Sequence, residues 1–216
     1  YNTEAWRHSG HAKFTYTGLY PVIEASVDFN DRASRDYNFN RYILDGSPYM
    51  MSMTGAGSGK PYVQGNLSVH IPFNFSSGGW SRGIIPRVSY TLSNDRYHTG
   101  ICNYDLVRDE NNPNIATPVF NNVEAGKKLL RQSLSASLRM YTMRTTAHSE
   151  IYPDWGIGME TGVSFNPGLA GWFSPVGYLY LYGYLPGITQ NQGLRLTGTW
   201  QGQLKGDSVF DTGALN

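Results

Sequence analysis

Three acidic residues, Glu24, Asp28 and Glu160, are of the type and placement that acid–base chemistry uses. A glycoside hydrolase needs two carboxylates about 5–10 Å apart across a cleft. Each of these three sits at a polar position of an alternating stretch, so in principle they could converge. Arg87, Arg131, Arg139 and Arg195 occupy the same kind of position. Opposite charges facing one another across a polar interior explain both sets without catalysis. The expectation is therefore an ion network of Glu24, Asp28, Arg87, Arg131, Arg139, Glu160 and Arg195, not an active site.

Other motifs carry less. Met53-Thr54-Gly55-Ala56-Gly57-Ser58-Gly59-Lys60-Pro61 looks like a phosphate loop. Thr54 stands where the first Gly belongs, and Pro61 replaces the hydroxyl that would bind magnesium. A flexible glycine loop is expected instead. His8 and His11 have H-x-x-H spacing with only Glu4 as a nearby helper. A metal centre needs more ligands than that, so solvated or interfacial histidines are expected. His70 falls on a polar strand face, and His98 and His148 fall near expected loops. Cys102 reads as a lone thiol in a loop, and Asp109-Glu110 as a solvated surface feature. No G-x-S-x-G elbow or Cys/His nucleophile spacing is present. The chain is expected to be non-enzymatic, with no cofactor and no metal.

Composition narrows the class. The chain has 216 residues, 17 Lys+Arg against 16 Asp+Glu, and one Cys. That length suits one domain. Charged residues make up 15% and aromatics 14%, with 16 Tyr and 25 Gly, yet mean hydropathy is −0.40. A net charge of +1 without a basic block argues against a nucleic-acid partner. The aromatic content argues against disorder. One Cys forms no internal disulfide and is too few for a Cys-built metal site. No apolar run is long enough for a transmembrane helix. The first residue, Tyr1, and the abrupt end at Asn216 suggest an excerpt of a longer chain.

The elements that must position these residues are strands. Val63, Gly65, Leu67, Val69, Ile71, Phe73 and Phe75 alternate with Gln64, Asn66, Ser68, His70, Pro72 and Asn74. Successive strand side chains point to opposite faces, so one face is apolar and the other polar. Pro72 lacks an N–H and suits a strand end or bulge. The same period recurs over 23–29, 86–92, 133–141, 157–165 and 194–204. The stretch 176–185 differs, with Tyr178, Tyr180, Tyr182 and Tyr184 on one face and Leu and Gly on the other. This Tyr ladder could stack sugar rings; cross-strand packing is the plainer reading. No helical stripe of similar length competes.

Several of these stretches reach the roughly 9–11 residues that a tilted strand needs to cross a bilayer. An apolar outer face with a polar lumen also reconciles the aromatic content with the negative hydropathy. Connections alternate between short, as at Gly78-Gly79 and 187–193, and long, near 31–62 and 93–129. The long ones are expected to be outward-facing loops. Tyr20, Trp80, Tyr97, Trp155, Trp172 and Phe173 near strand ends suit aromatic girdles. The expected fold is all-β: an antiparallel up-and-down transmembrane β-barrel, as one segment over 1–216. The alternative is a secreted soluble β-sandwich that binds glycans.

Further segments carry a family likeness. They are Ala12 to Ile23, Asp28-Phe29-Asn30-Asp31-Arg32, Ile151-Tyr152-Pro153-Asp154-Trp155-Gly156, Phe173-Ser174-Pro175 through Tyr182-Gly183-Tyr184-Leu185-Pro186-Gly187, and Gln192 to Leu196. In these the chain resembles Bacteroidota outer-membrane barrel proteins whose longer members carry a TolB-like β-propeller region in the periplasm. The resemblance implies a barrel portion only, with strands missing at both ends, and it carries over no catalytic residue. It implies a bacterial outer-membrane location. The function would be scaffold, transport pathway or membrane-assembly component. The partners would be outer-membrane lipid and other outer-membrane or periplasmic proteins.

Overall fold

The computed structural model describes residues 8–110, 112–145, 153–169, 171–187 and 192–205. Glu4, His148 and Ile151-Tyr152 lie outside the described residues. The chain is all-β. Its strands are β1 (Gly10–Tyr16), β2 (Val22–Leu44), β3 (Ser47–His70), β4 (Phe73–Asn74), β5 (Trp80–Arg108), β6 (Ala116–Val123), β7 (Lys128–Arg144), β8 (Gly156–Phe165), β9 (Val176–Pro186) and β10 (Gly193–Gln203). Among the described residues the only helical element is a 3-10 turn at Pro167–Leu169.

All ten strands join one sheet, in the order β1-β2-β3-β5-β7-β8-β9-β10, with β4 and β6 paired to β5. The order follows the chain, as an up-and-down antiparallel sheet requires. One parallel pairing departs from it, Asp36–Ile43 of β2 against Arg96–Asp105 of β5, with a register shift after Asn38. Among the described residues no pairing joins β1 to β10, so the sheet is not closed.

All seven alternating stretches lie mainly in strands, and three strands run much further than the alternation does. Residues 31–62, expected as a loop, are the continuation of β2, a turn at Asp45-Gly46 and the first part of β3. Asp45 and Gly46 both have positive φ, 52° and 79°, as a two-residue hairpin turn demands. Residues 93–129 likewise hold the end of β5, all of β6 and the start of β7. The expected glycine loop at 53–61 is part of β3, and Cys102 and His98 lie within β5. At the other extreme, β3 stops at His70 before Pro72, which cannot donate to the ladder. The Gly78-Gly79 turn forms as expected, with positive φ at both and Ser77 and Trp80 exchanging backbone hydrogen bonds of 3.0 Å.

The chain's contacts gather into two compact units. The first comprises Tyr1–Ala12, Val27–Gly65 and Leu92–Gln132. Its apolar centre is Phe39, Tyr62, Tyr97 and Ile101, with Phe39 wholly buried and stacked on Tyr97 at 6.1 Å. The parallel β2–β5 pairing brings these rings together, since Tyr37 also lies 5.3 Å from Tyr97. The second unit comprises Lys13–Ser26, Asn66–Thr91 and Ser133–Asn216. Its buried apolar side chains are Leu169, Phe173, Val176 and Tyr182.

The faces are inverted relative to a water-soluble sheet. In β3, Leu67 is 51% exposed while its neighbour Ser68 is 6% exposed. Ile157 beside buried Gly158, and Leu181 beside buried Tyr182, show the same contrast, and Val88 is also exposed. Among the described residues eight hydrophobic side chains are buried and twenty-eight large ones are exposed. Isolated exposed apolar residues are ordinary, but contiguous apolar faces mark a partner surface.

Candidate functional site: the charged face of the sheet

Alternation places Lys13, Glu24, Arg87, Arg139, Glu160 and Arg195 on the polar face of their strands. In the second unit Glu24 is a hub. Lys13 Nζ lies 2.8 Å from Oε1, and Arg87 Nη2 lies 2.5 Å from Oε2. Ser68 Oγ donates to Oε2 at 3.3 Å, and His70 Nδ1 stands 3.9 Å away. Two cations and a serine hydroxyl around one carboxylate suit holding β1, β2, β3 and β5 in register.

The Tyr ladder of β9 belongs to this polar face. Register sets Gly156, Gly158, Glu160 and Gly162 of β8 opposite Tyr184, Tyr182, Tyr180 and Tyr178. Arg139 of β7 pairs in register with Glu160. Tyr178 Oη donates to Glu160 Oε1 at 2.9 Å, and Arg139 Nη2 lies 3.5 Å from Tyr182 Oη. Arg195 Nη2 donates to Tyr180 Oη at 3.0 Å, and its guanidinium lies 6.0 Å from the Tyr184 ring. Tyr182 is buried, and Tyr180 and Tyr182 stack on one another at 5.5 Å. The rings therefore act as struts between strands, with the hydroxyls of Tyr178, Tyr180 and Tyr182 spent on the sheet's own charges.

The first unit has its own ion network. Asp95 is fully buried and accepts from both Arg32 guanidinium nitrogens, Nη1 at 3.1 Å and Nη2 at 2.7 Å. The Arg35 backbone N–H adds a third bond at 2.9 Å, and Arg131 Nη1 stands 3.7 Å off. The Arg32 guanidinium also lies 3.6 Å over the Tyr62 ring, which desolvates one of its faces. Asp28 pairs with His11, whose Nδ1 is 2.5 Å from Oδ1. Asp36 accepts from Lys128 Nζ at 3.0 Å, with His98 Nε2 at 3.5 Å. The Lys128 hydrogen bond, reinforced by His98, holds the Asp36 carboxyl below the ordinary aspartate range despite some desolvation.

Of the seven charges read from the sequence, Glu24 and Arg87 come together, and Arg139 comes opposite Glu160. Arg195 bonds Tyr180, Asp28 takes His11, and Arg131 takes Asp95. Among the described residues no hydrogen bond or ion pair links Glu24 to Glu160. No group of three or more His, Cys, Asp or Glu suited to a metal occurs among them either. Lys13, Arg32, Asp36, Asp95 and Lys128 were not anticipated. Asp95 was within reach, because it continues the polar series Arg87, Ser89, Thr91, Ser93 along β5. Lys13 was signalled only by β1, whose alternation spans seven residues.

No family model, curated protein or solved structure matches this chain.

Proposed function

We propose that the chain is a portion of an outer-membrane β-barrel. In this reading it is a non-enzymatic scaffold, transport pathway or assembly component whose apolar face meets lipid. The observation that carries this is the face inversion: Leu67, Ile157 and Leu181 are exposed while their neighbours Ser68, Gly158 and Tyr182 are buried. In water that arrangement forgoes the main driving force for folding. In a bilayer it is the arrangement a barrel needs. The crossing segments contain the alternating stretches 23–29, 63–70, 86–92, 133–141, 157–165, 176–185 and 194–204, with the shorter ones extended by a few residues along the longer strands that hold them. Trp80 and Trp155, at strand ends, have the placement of interfacial aromatics. The absence of long apolar helices among the described residues says nothing against strand crossings. The resemblance to Bacteroidota outer-membrane barrels points the same way.

A glycan-binding sandwich would need free ring faces on the Tyr ladder. The engaged hydroxyls of Tyr178 and Tyr180 and the burial of Tyr182 favour the membrane reading. Fractionation tests it. The expressed chain should stay in the membrane pellet through a carbonate wash and enter solution only with detergent. Recovery in the aqueous fraction without detergent would reject it.

A further inference from the structure

We propose that the row Trp80–Arg144–Trp155, at adjoining ends of β5, β7 and β8, binds the phosphate of an anionic lipid headgroup. This rests on the membrane reading above.

The row is set by register. Thr145 N donates to Gly79 O at 2.9 Å and Thr145 Oγ1 to the same oxygen at 3.0 Å. Arg144 N donates to Trp155 O at 2.8 Å. Arg144 is thus flanked by an indole on each neighbouring strand. Parity assigns the face. Trp155 is two residues from Ile157, and Arg144 two from Thr142, which pairs with Ile157. Trp80 is even-spaced from Val88, so all three residues end the exposed apolar face.

A cavity of about 720 Å³ lies there, lined by Gly78, Gly79, Trp80, Arg144, Thr145 and Trp155. The Gly78-Gly79 turn leaves its rim low, since no side chain rises from it. Arg82, with its guanidinium 5.9 Å from the Trp80 ring, packs on that indole and is not among the residues lining the cavity. Among the described residues neither Arg82 nor Arg144 forms an ion pair with a carboxylate. The acids of this unit that pair, such as Glu24, do so on the opposite face.

The chemistry is complementary to a lipid phosphate. A guanidinium presents a planar fork that matches phosphate oxygens. Indoles prefer the zone where headgroup meets acyl chain. A free anion would satisfy Arg144 but leave both indoles and the adjoining apolar face uncovered. A lipid covers all of them at once.

Native mass spectrometry of the chain released from nanodiscs tests this, with equal parts phosphatidylglycerol and phosphatidylcholine. Phosphatidylglycerol should be retained about fivefold over phosphatidylcholine, the preference one interfacial arginine confers. Arg144→Gln should bring the ratio close to parity, and Arg144→Lys should leave it between. Excess inorganic phosphate should not displace the lipid. Parity in the unaltered chain overturns the proposal without needing any variant. So does a preference that survives Arg144→Gln, or displacement by inorganic phosphate, which would indicate a site for the free anion. A chain that stays in solution without detergent or lipid defeats the membrane reading itself, a result separate from inserted protein lacking lipid preference.

Discussion

Asp95 accepts three hydrogen bonds while wholly buried. Deleting its carboxylate leaves the Arg32 guanidinium against Tyr62 without a counter-charge. Breaking one side of a buried pair costs about 3–5 kcal/mol, and the partial exposure of Arg32 places this case near the lower end. Asp95→Ala should therefore lower unfolding stability by about 3 kcal/mol in a urea titration. Asp36 gives a pH signature. It lies outside the crossing segments, and its carboxyl is depressed by Lys128 first and His98 second. A depressed carboxylate contributes stability that is present above the unfolded aspartate value, about pH 4, and is lost as pH falls through the folded value. Asp36→Asn should be less stable than the parent at neutral pH, by up to about 1 kcal/mol given its partial exposure. That gap should close on acidification below about pH 4. The polar parity of β2 and β5 made Glu24 and Arg87 legible in sequence; the same parity extends to Asp95, which was not anticipated. Arg32 was not legible as their partner's mate, because an ion pair 63 residues apart depends on which strands become neighbours.

At the scale of elements, β8 and β9 lock by shape. Gly162 faces Tyr178, and a methyl there would fall 2.6 Å from Tyr178 Cε1 and 2.8 Å from the Ala136 carbonyl oxygen. Gly158 is covered in the same way by the Tyr182 ring. Glycine in a strand marks a close approach, and a ring over it restores the lost packing. Gly162→Ala should cost about 1–3 kcal/mol through overpacking. Gly198→Ala, with nothing within 4 Å, should be nearly silent in the same unfolding assay. Equal effects at both positions would show that the ring-over-glycine fit is not what holds these strands. Strands β7 to β10 were readable because one face is mainly apolar over 133–141, 157–165, 176–185 and 194–204. The far parts of β2 and β3 were not. Asn30-Asp31-Arg32 and Gly55 to Lys60 carry polar or absent side chains on both faces, so period two leaves no trace. Their strands are specified by pairing and by the Asp45-Gly46 turn instead.

For the whole molecule, the central claim is that the apolar face meets lipid. Val88 is 53% exposed. If it faces water, Val88→Arg should change stability by no more than about 0.5 kcal/mol. If it faces the bilayer near its midplane, folding into vesicles should lose about 2–4 kcal/mol. The second outcome is predicted. The most direct measurement is a nitroxide scan of positions 88 to 92, each as a single cysteine with Cys102 replaced by Ser, in lipid vesicles. Labels at Val88, Tyr90 and Leu92 should be relaxed by membrane-dissolved oxygen and shielded from a water-soluble nickel chelate. Labels at Ser89 and Thr91 should show oxygen effects much weaker than at their neighbours. Uniform access of the nickel chelate to all five positions would contradict the account.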